Sequence, residues 1–331
     1  MAGIKIKGTG SYLPSKIADN NSFTAFLDTS DEWITTRTGI KERRVSSGEP
    51  TWFMAKEASL KAIEAAGINP SDIGIIISTS VTHDYITPSC ACMVQNEINA
   101  VNSMAIDINC ACAGFAYGFD MAKRYLETDR EIKHALVVSA ENLTKLVDYT
   151  DRSTCVLFGD GASAAVIEYS DSIYSSHMGA DGSGGKYLYA KGLPPANAFM
   201  PEEKEQYDCY VPDADNHYLH QDGKEVYKFA IKALPFAVTE AARKINFDVK
   251  DVDVFIPHQA NVRIIQTAAE NLGVSMDKFY LVIEKYGNTS SASIPLAFDE
   301  AVRNGTVKRG DKVCFVGFGA GLTYGAIIFE Y

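Results

Sequence analysis

The chain has 331 residues, of which 46% are hydrophobic and 22% charged, the balance of an ordinary globular protein. Its formal net charge of −11 argues against a nucleic-acid-binding surface, because such surfaces are basic. The sequence has no apolar run of about 18 residues that would predict a membrane-spanning helix. Residues 1–8 enter a strand pattern without the apolar core of a signal peptide. We therefore expect a cytoplasmic protein with two domains or one large duplicated domain.

Seven cysteines are spread along the chain: Cys90, Cys92, Cys110, Cys112, Cys155, Cys209 and Cys314. An odd number of cysteines without a signal segment predicts free thiols, not a disulfide framework. Two pairs have C-x-C spacing, but zinc sites usually place two to four residues between paired cysteines. Neither pair has a second ligand pair to complete a site. We therefore expect no metal.

An internal repeat organises the sequence. The apolar run at 72–77 (DIGIII) resembles the run at 251–256 (DVDVFI), and Phe119-Asp120 resembles Phe298-Asp299. Both pairs are offset by 179 positions (251 − 72 and 298 − 119). The shared offset predicts two related halves, which we place at residues 1–174 and 175–331.

Each half alternates strands and helices and ends in two successive strands. Segment 135–139 pairs with 313–317, and 158–161 pairs with 318–321. Such alternation predicts helices packed on sheets. Two halves related by a pseudo-dyad therefore predict an α/β protein that is layered as an α-β-α-β-α sandwich, with buried central helices.

Three polar residues fall at loop positions next to the expected pseudo-dyad. Cys112 precedes a predicted helix, and its equivalent in the second half is Ser291. His258 follows a buried strand, and its equivalent is Thr79; Asn288 lies in a Gly-Asn-Thr-Ser turn. Ligands of such sheets bind outside the carboxyl ends of strands. We therefore expect Cys112, His258 and Asn288 to converge.

The helix predicted over 113–126 is rich in alanine and glycine, which indicates close packing. A cysteine at its N-terminus would lie in the positive end of the helix dipole, which lowers thiol pKa and favours the thiolate. A thiolate exchanges readily with a thioester. The same residues also allow a purely structural interpretation. In it, Cys112 is a small buried hydrophobe, His258 a structural histidine and Asn288 a turn former.

Several longer motifs carry a family resemblance. They are ACAGF at 111–115, PHQANVRI at 257–264, GNTSSAS at 287–293, FGDGA at 158–162, FGAGLTYG at 318–325 and DTSDEWITTRTGI at 28–40. In these motifs the chain resembles the condensing enzymes of the thiolase fold, and most closely the 3-oxoacyl-(acyl-carrier-protein) synthase III family. The resemblance runs from Ile4 to Tyr331 and implies a duplicated thiolase-like fold.

The resemblance implies a two-stage reaction that initiates type II fatty-acid synthesis. Cys112 would take an acyl group from acyl-CoA, and malonyl on acyl carrier protein would then lose CO2 and condense with it. His258 and Asn288 would donate hydrogen bonds to the malonyl thioester oxygen. Backbone N–H groups of Cys112 and Ala320 would form the oxyanion hole. The two thioesters are substrates, and no cofactor is implied.

The same resemblance implies a set of binding residues. Trp33, Arg37 and Arg152 would hold the CoA nucleotide, and Asn261 would touch its pantetheine arm. Acyl carrier protein is acidic and would dock on a basic patch, for which Lys228, Lys232 and Arg263 are candidates. A homodimer is also implied.

The chain departs from the family pattern in three places. Thr87 stands where acetyl-selective members carry an aromatic, so a longer or branched starter is an open possibility. Glu270 and Asn271 replace lysines that are common after the histidine. The polar segment 193–222 is either a cover for the pocket or a solvated insertion.

Alternative functions remain open at this stage. The first is a condensing enzyme that uses two CoA thioesters, or a long-chain or branched starter for secondary metabolism. A Cys-His-Asn hydrolase is disfavoured because no papain-like cysteine motif is present. A non-catalytic subunit would more naturally have lost one of the three polar residues.

Overall fold

The computed structural model describes residues 3–193, residue 199 and residues 217–331. Its strands are β1 (Gly3–Tyr12), β2 (Lys16–Asp19), β3 (Glu42–Val45), β4 (Ile73–Thr79), β5 (Met104–Ile108), β6 (His134–Asn142), β7 (Asp160–Ser170), β8 (Tyr174–Ala180), β9 (Leu188–Tyr189), β10 (His220–Gln221), β11 (Val254–Pro257), β12 (Lys312–Gly319) and β13 (Thr323–Glu330). Its helices are α1 (Asn20–Phe23), α2 (Asp31–Thr38), α3 (Thr51–Ala66), α4 (Cys90–Glu97), α5 (Gly114–Thr128), α6 (Gly223–Lys244), α7 (Val262–Leu272), α8 (Ile283–Tyr286) and α9 (Ser293–Arg303). Most of the 193–222 insertion, with Cys209, lies outside the described residues.

Two mixed sheets repeat the same strand order. The first sheet runs β1-β7-β6-β4-β5, and the second runs β8-β13-β12-β11. In each sheet the edge strand (β1 or β8) and its neighbour are antiparallel, whereas β4 and β6, or β11 and β12, are parallel. The fifth position of the second sheet is reduced to an isolated bridge between Phe255 and Phe279. These matching orders confirm the duplication that the repeat predicts.

The helices and sheets form five layers in the described part of the chain. Helices α3 and α4 pack on the outer face of the first sheet. Helices α5 and α9 fill the space between the sheets, and α6 and α7 cover the outer face of the second sheet. Both faces of each sheet are therefore buried, which explains the continuous β-branched runs in β4 and β6. The predicted α-β-α-β-α sandwich is confirmed.

The central helices pack closely because their contact faces are small. A Cβ atom on Gly118 of α5 would lie 3.0 Å from Thr79 Cγ2 and 3.2 Å from Val137 Cγ1. Larger side chains fill the remaining space, and the ring of Phe315 lies 5.5 Å from Phe119 and 5.0 Å from Phe298. Burying each such ring contributes about 1.5–3 kcal/mol. The rings thus anchor both central helices to the second sheet.

Each central helix carries one buried carboxylate that ties it to the edge strand of the other half's sheet. Asp120 of α5 accepts hydrogen bonds from Tyr174 (3.1 Å) and Ser176 on β8. Asp299 of α9 accepts one from Thr9 on β1 at 2.6 Å. Each carboxylate also pairs with an arginine four residues later in its helix. The two halves therefore share these carboxylate hydrogen bonds across the interface between them, as well as the strand order.

The boundaries refine the sequence-based expectations. The first sheet uses residues 3–170 and the second uses residues 174–330, so the proposed division after residue 174 falls at the start of β8. The division into halves at that point stays an interpretation. Helix α5 begins at Gly114, one residue later than expected, and ends at Thr128. In the described segments, none of the helices is both long and apolar enough to cross a membrane.

We expect Gly118→Val to destabilise the protein, because the added side chain would enter the contact between α5 and β4. The free energy of unfolding should fall by about 1–3 kcal/mol, the usual cost of overpacking a core. Urea unfolding followed by circular dichroism measures it. Gly192→Val is the matched control, because a Cβ there meets no atom within 4 Å. Equal unfolding midpoints for both variants would contradict the close packing.

Candidate active site

A cavity of about 730 Å³ opens between the two halves. Its walls are largely apolar, with Val81, Leu143 and Phe318 among the lining side chains. Most of the residues that the sequence singles out line this one cavity: Trp33, Arg37, Cys112, Arg152, His258, Asn261, Asn288 and Ala320. They come from distant parts of the chain, so the fold brings them together.

Cys112 lies in a short 3-10 turn (Ala111–Ala113) that leads into α5. The turn is held by Asn109, whose Oδ1 atom accepts a hydrogen bond from the Ala111 N–H at 3.2 Å. Ala111 has a φ of 47°, a left-handed conformation that is uncommon for a residue with a Cβ. The turn therefore places Cys112 at the start of the buried helix, as predicted.

The second half has the same turn 179 positions later (288 − 109). It spans Ser290–Ala292 and lies against the Cys112 turn. Ser290 has a φ of 49°, and its N–H donates to Asn288 Oδ1 at 2.9 Å. This bond holds the Asn288 amide by its oxygen, which can only accept. The Nδ2 group of the same amide can therefore donate a hydrogen bond into the cavity. Asn288 is 6% exposed.

The repeat does not produce a second site, because Ser291, the equivalent of Cys112, is hydrogen-bonded within the core. Ser291 donates a hydrogen bond to the Glu141 carboxylate at 2.7 Å, within the core. Glu141 is fully buried and also accepts from Thr82 and from the Val81 N–H. Burial raises the pKa of the Glu141 carboxyl, and these hydrogen bonds offset the rise only in part. A buried polar network thus fills the pseudo-symmetric position.

His258 follows β11 and is 2% exposed. Its backbone N–H donates to the Val316 carbonyl at 2.8 Å, which continues the pairing of β11 with β12. Its Nδ1 atom lies 2.7 Å from Ser293 Oγ, and its ring packs edge-on against Phe318. Burial lowers the pKa of the imidazole to about 3, so His258 is neutral near pH 7.

The expected thiolate at Cys112 is wrong for this structure. Burial raises the pKa of the Cys112 thiol to about 12, with a smaller contribution from Glu141, and the Ser290 side chain lowers it only in part. Loss of hydration outweighs the helix dipole, which the sequence argument considered alone. With His258 also neutral, the two groups are a thiol and an imidazole, and do not form an ion pair.

The C-terminal end of β12 approaches the Cys112 turn very closely. A Cβ atom on Gly319 would lie 2.5 Å from the backbone nitrogen of Cys112, so a side chain there has no room. Thr323 Oγ1 lies 2.9 Å from the Cys110 carbonyl and 3.1 Å from the Ala320 carbonyl, and so holds the two loops together. Ala320, the residue after Gly319, lines the same cavity as Cys112.

The outer part of the cavity contains a cationic aromatic cluster. The guanidinium carbons of Arg37 and Arg152 lie 4.5 and 4.6 Å from the centre of the Trp33 ring. Helix α2, which carries Trp33, is capped by Ser30 through its side chain. Asn261 caps α7 by accepting from the Arg263 N–H, and its Nδ2 donates to the Arg37 carbonyl at 3.0 Å. Asn261 therefore joins the two helices that frame this part of the cavity.

Four of the residues predicted for binding lie outside the cavity lining. Thr87 is exposed on the loop between β4 and α4. Lys228 is exposed and pairs with Glu225 at 2.6 Å. Arg263 is exposed and donates to the Thr36 carbonyl at 2.9 Å. Lys232 is exposed as well. Their predicted roles depend on partners that a single chain does not contain.

Four residues of the site's framework were not among those predicted from the sequence: Asn109, Glu141, Ser293 and Gly319. Asn109 was detectable, because it is the repeat equivalent of Asn288. The others depend on contacts between segments far apart in the chain. In the residues that the structure describes, no group of three or more His, Cys, Asp or Glu side chains is arranged to hold a metal ion.

Comparison with known proteins agrees with this architecture. The model for "3-Oxoacyl-[acyl-carrier-protein (ACP)] synthase III" matches residues 106–182, and the model for the C-terminal part of that family matches residues 242–331. The chain is 45% identical to the beta-ketoacyl-[acyl-carrier-protein] synthase III of Caldanaerobacter subterraneus subsp. tengcongensis, with 98% of this chain and 97% of the relative aligned.

A second relative and a solved structure agree. The corresponding synthase III of Clostridioides difficile is 46% identical, with 98% of each chain covered. The crystal structure of the synthase III from Aquifex aeolicus superposes with a TM-score of 0.90 at 40% identity, covering 99% of this chain and all of that one. Together with the five layers, these matches confirm the predicted thiolase-like fold of a condensing enzyme. The chain belongs to the 3-oxoacyl-[acyl-carrier-protein] synthase III family.

We expect the alkylation of Cys112 by iodoacetamide to accelerate continuously with pH. Because the thiol pKa is raised, the thiolate fraction should rise about tenfold per pH unit from about pH 6 to about pH 9, without a plateau. Mass spectrometry of the Cys112 peptide measures the rate, and exposed Cys92 provides an internal comparison. A plateau below about pH 8 would show a stabilised thiolate and contradict the neutral pair.

Proposed function

We propose that this chain initiates type II fatty-acid synthesis by condensing an acyl-CoA starter with malonyl-acyl carrier protein to give 3-oxoacyl-acyl carrier protein. One observation supports this most directly: Cys112, His258 and Asn288 line a single apolar cavity that also contains the Trp33–arginine cluster. The family membership of the chain supports the same reaction. Such a reaction needs no cofactor, and its natural location is the cytoplasm.

The first stage loads the enzyme. The Cys112 sulfur attacks the carbonyl carbon of the acyl thioester, and negative charge develops on the carbonyl oxygen. The backbone N–H groups of Cys112 and Ala320 would stabilise that charge, because Gly319 lets the two segments approach. The C–S bond to CoA then breaks, and the thiol proton leaves with the CoA thiolate. Since the pKa of the free thiol is raised, the proton stays on the Cys112 sulfur until the new bond forms and then passes to the departing CoA sulfur.

The second stage decarboxylates and condenses. When malonyl loses CO2, its bonding electrons pass into the thioester and charge develops on the thioester oxygen. Neutral His258 and the Nδ2 group of Asn288 would donate hydrogen bonds to that oxygen, whereas a carboxylate there would repel it. The enolate carbon then attacks the acyl-Cys112 carbonyl and the C–S bond to Cys112 breaks. The sulfur leaves as a thiolate and takes up a proton from water, which restores the thiol. The product stays on the carrier protein.

Substrate binding would use both ends of the cavity. Trp33, Arg37 and Arg152 combine a flat aromatic face with two guanidinium groups, which suits an adenine ring and phosphates. Asn261, between these residues and the reacting groups, would contact the pantetheine arm. The acidic carrier protein would dock near Lys228 and Arg263 at the outer surface of α6 and α7.

In a homodimer, Thr87 of one chain would lie at the cavity of the other chain. Strand β5 is the edge of the first sheet and presents Met104 at 41% exposure, with Val101 next to it at 70%. Ile86, beside Thr87, is 83% exposed. An apolar sheet edge of this kind favours pairing with a second chain. Thr87 would then line the acyl pocket of the partner and leave room for starters longer or more branched than acetyl.

A second candidate function is condensation of two CoA thioesters. One observation favours it: Lys228 is paired with Glu225, and Arg263 is bonded to the backbone of α2, so both cations are already engaged. A carrier-protein dock would have to break or share these contacts. Comparing condensation rates with malonyl-CoA and with malonyl-carrier protein separates the candidates, and a preference for malonyl-CoA would favour the second.

Incubation with a panel of acyl-CoAs should produce a single acyl adduct on the intact protein. Mass spectrometry would report which starters load, and peptide mapping should place the adduct on Cys112. Cys112→Ser should abolish it, because a neutral hydroxyl is a far weaker nucleophile than a thiol. Cys110→Ser is the matched control and should retain loading. The same adduct persisting in Cys112→Ser at another cysteine would refute the assigned nucleophile.

Asn288→Ala should separate the two stages. Acyl loading of Cys112 should persist, whereas malonyl decarboxylation should fall by about 100- to 1000-fold, the usual cost of losing one donor to a developing oxyanion. Release of radiolabelled CO2 and formation of the acyl-enzyme measure the two steps. Asn109→Ala, which alters the equivalent turn in the first half, is the comparison. Equal loss of both stages in Asn288→Ala would contradict the role of its amide.

A further inference from the structure

A neutral histidine carries one ring proton, and its position determines what the ring can do. To donate a hydrogen bond into the cavity, His258 must carry this proton on the nitrogen that is not bonded inside the core. Its Nδ1 atom is the one held in the core, 2.7 Å from Ser293 Oγ. The donor role of His258 in the proposed function, on which this inference rests, therefore requires the proton on Nε2.

Ser293 is placed to control this choice. It is the first residue of α9, is 1% exposed, and is absent from the cavity lining. Its Oγ atom accepts a hydrogen bond from the Gln259 N–H at 3.3 Å. Because a buried hydroxyl hydrogen also needs an acceptor, its own hydrogen must be directed to another group. Within the described residues, the acceptor in reach is His258 Nδ1.

Gln259 is held too firmly to release this contact. The residue is fully buried. Its Nε2 group donates to the carbonyls of Pro257 and Tyr280, and its Oε1 atom accepts from the N–H groups of Val282 and Ile283. All the strong hydrogen-bonding capacity of the amide is used. The backbone of Gln259 therefore stays in place, and its N–H stays directed at Ser293.

We propose that Ser293 is a positioning residue that holds the single imidazole proton of His258 on Nε2. The Gln259 N–H occupies a lone pair of Ser293 Oγ, the Ser293 hydroxyl donates to His258 Nδ1, and the Nε2–H then faces the cavity. The direction of donation runs from backbone to serine to histidine, and ends at the substrate oxygen. Ser293 acts through His258 and does not itself touch the substrate.

The ring proton can be located directly by NMR on the full-length protein labelled with 15N-histidine. Long-range 1H–15N spectra distinguish a protonated from an unprotonated ring nitrogen, and loss of signals in His258→Gln assigns the residue. The wild-type protein should show protonated Nε2 and unprotonated Nδ1 at neutral pH. In Ser293→Ala the Nδ1 shift should change, and the second tautomer should gain population.

Kinetics provide the functional side of the test. Malonyl decarboxylation by Ser293→Ala should fall about tenfold, the upper range for one lost hydrogen bond, while acyl loading of Cys112 is retained. Ser293→Thr keeps the hydroxyl and should restore the wild-type tautomer. Ser291→Ala is the matched control: it removes a buried serine two residues away that bonds Glu141 and the Thr79 carbonyl, and it should leave the His258 signals unchanged.

The outcomes separate this inference from the proposed function. A wild-type His258 that carries its proton on Nδ1 would overturn the inference, and so would an unchanged tautomer together with unchanged decarboxylation in Ser293→Ala. A wild-type protein that loads no acyl group and decarboxylates no malonyl thioester would refute the proposed function instead. The wild-type NMR result is independent of both Ser293 variants, so it stands even if they fold poorly.

Discussion

The close packing of α5 and α9 between the two sheets is the constraint on which the rest of the structure depends. Small residues on α5 let the helix approach β4 to within ordinary side-chain contact, and the aromatic rings of the second sheet fill the space that remains. Because both helices begin near the pseudo-dyad, their first turns meet there. The reacting thiol and the serine that bonds His258 are therefore placed by the packing of the core.

Duplication provides the geometry, and the departures from symmetry make one site. Both halves build the same asparagine-held turn before the central helix, at Asn109 and at Asn288. In the first half, the turn that follows Asn109 presents Cys112 to the cavity. In the second half, Ser291 takes the place of Cys112 and is hydrogen-bonded to buried Glu141. Glu141 stands at the end of β6, and its equivalent at the end of β12 is Gly319, which has no carboxylate. One half thus contributes the thiol, and the other contributes the histidine, the amide and the close loop approach.

The electrostatics of the site follow from its burial. Burial disfavours charge on both the thiol and the imidazole, so neither is ionised in the free protein near pH 7. In the proposed reaction, charge would form only as bonds change, next to hydrogen-bond donors that the fold already holds in place. An arrangement of neutral donors costs little reorganisation as charge develops, which is the advantage of a preorganised site.

The sequence alone determined the layered fold, the repeat and the family of the chain, because strand and helix periodicity, a constant offset and specific motifs are local or regular signals. It also predicted that Cys112, His258 and Asn288 converge, and the structure places all three in the lining of one cavity. It also identified the residues of the cationic aromatic cluster through resemblance. It failed for the ionisation of Cys112, since desolvation depends on what surrounds a group and not on its position in a helix. It could not identify Ser293, Glu141 or Gly319 as parts of the framework. Their partners lie 35, 150 and 207 positions away (293 − 258, 291 − 141 and 319 − 112), and only the tertiary packing of the two halves brings these atoms into contact.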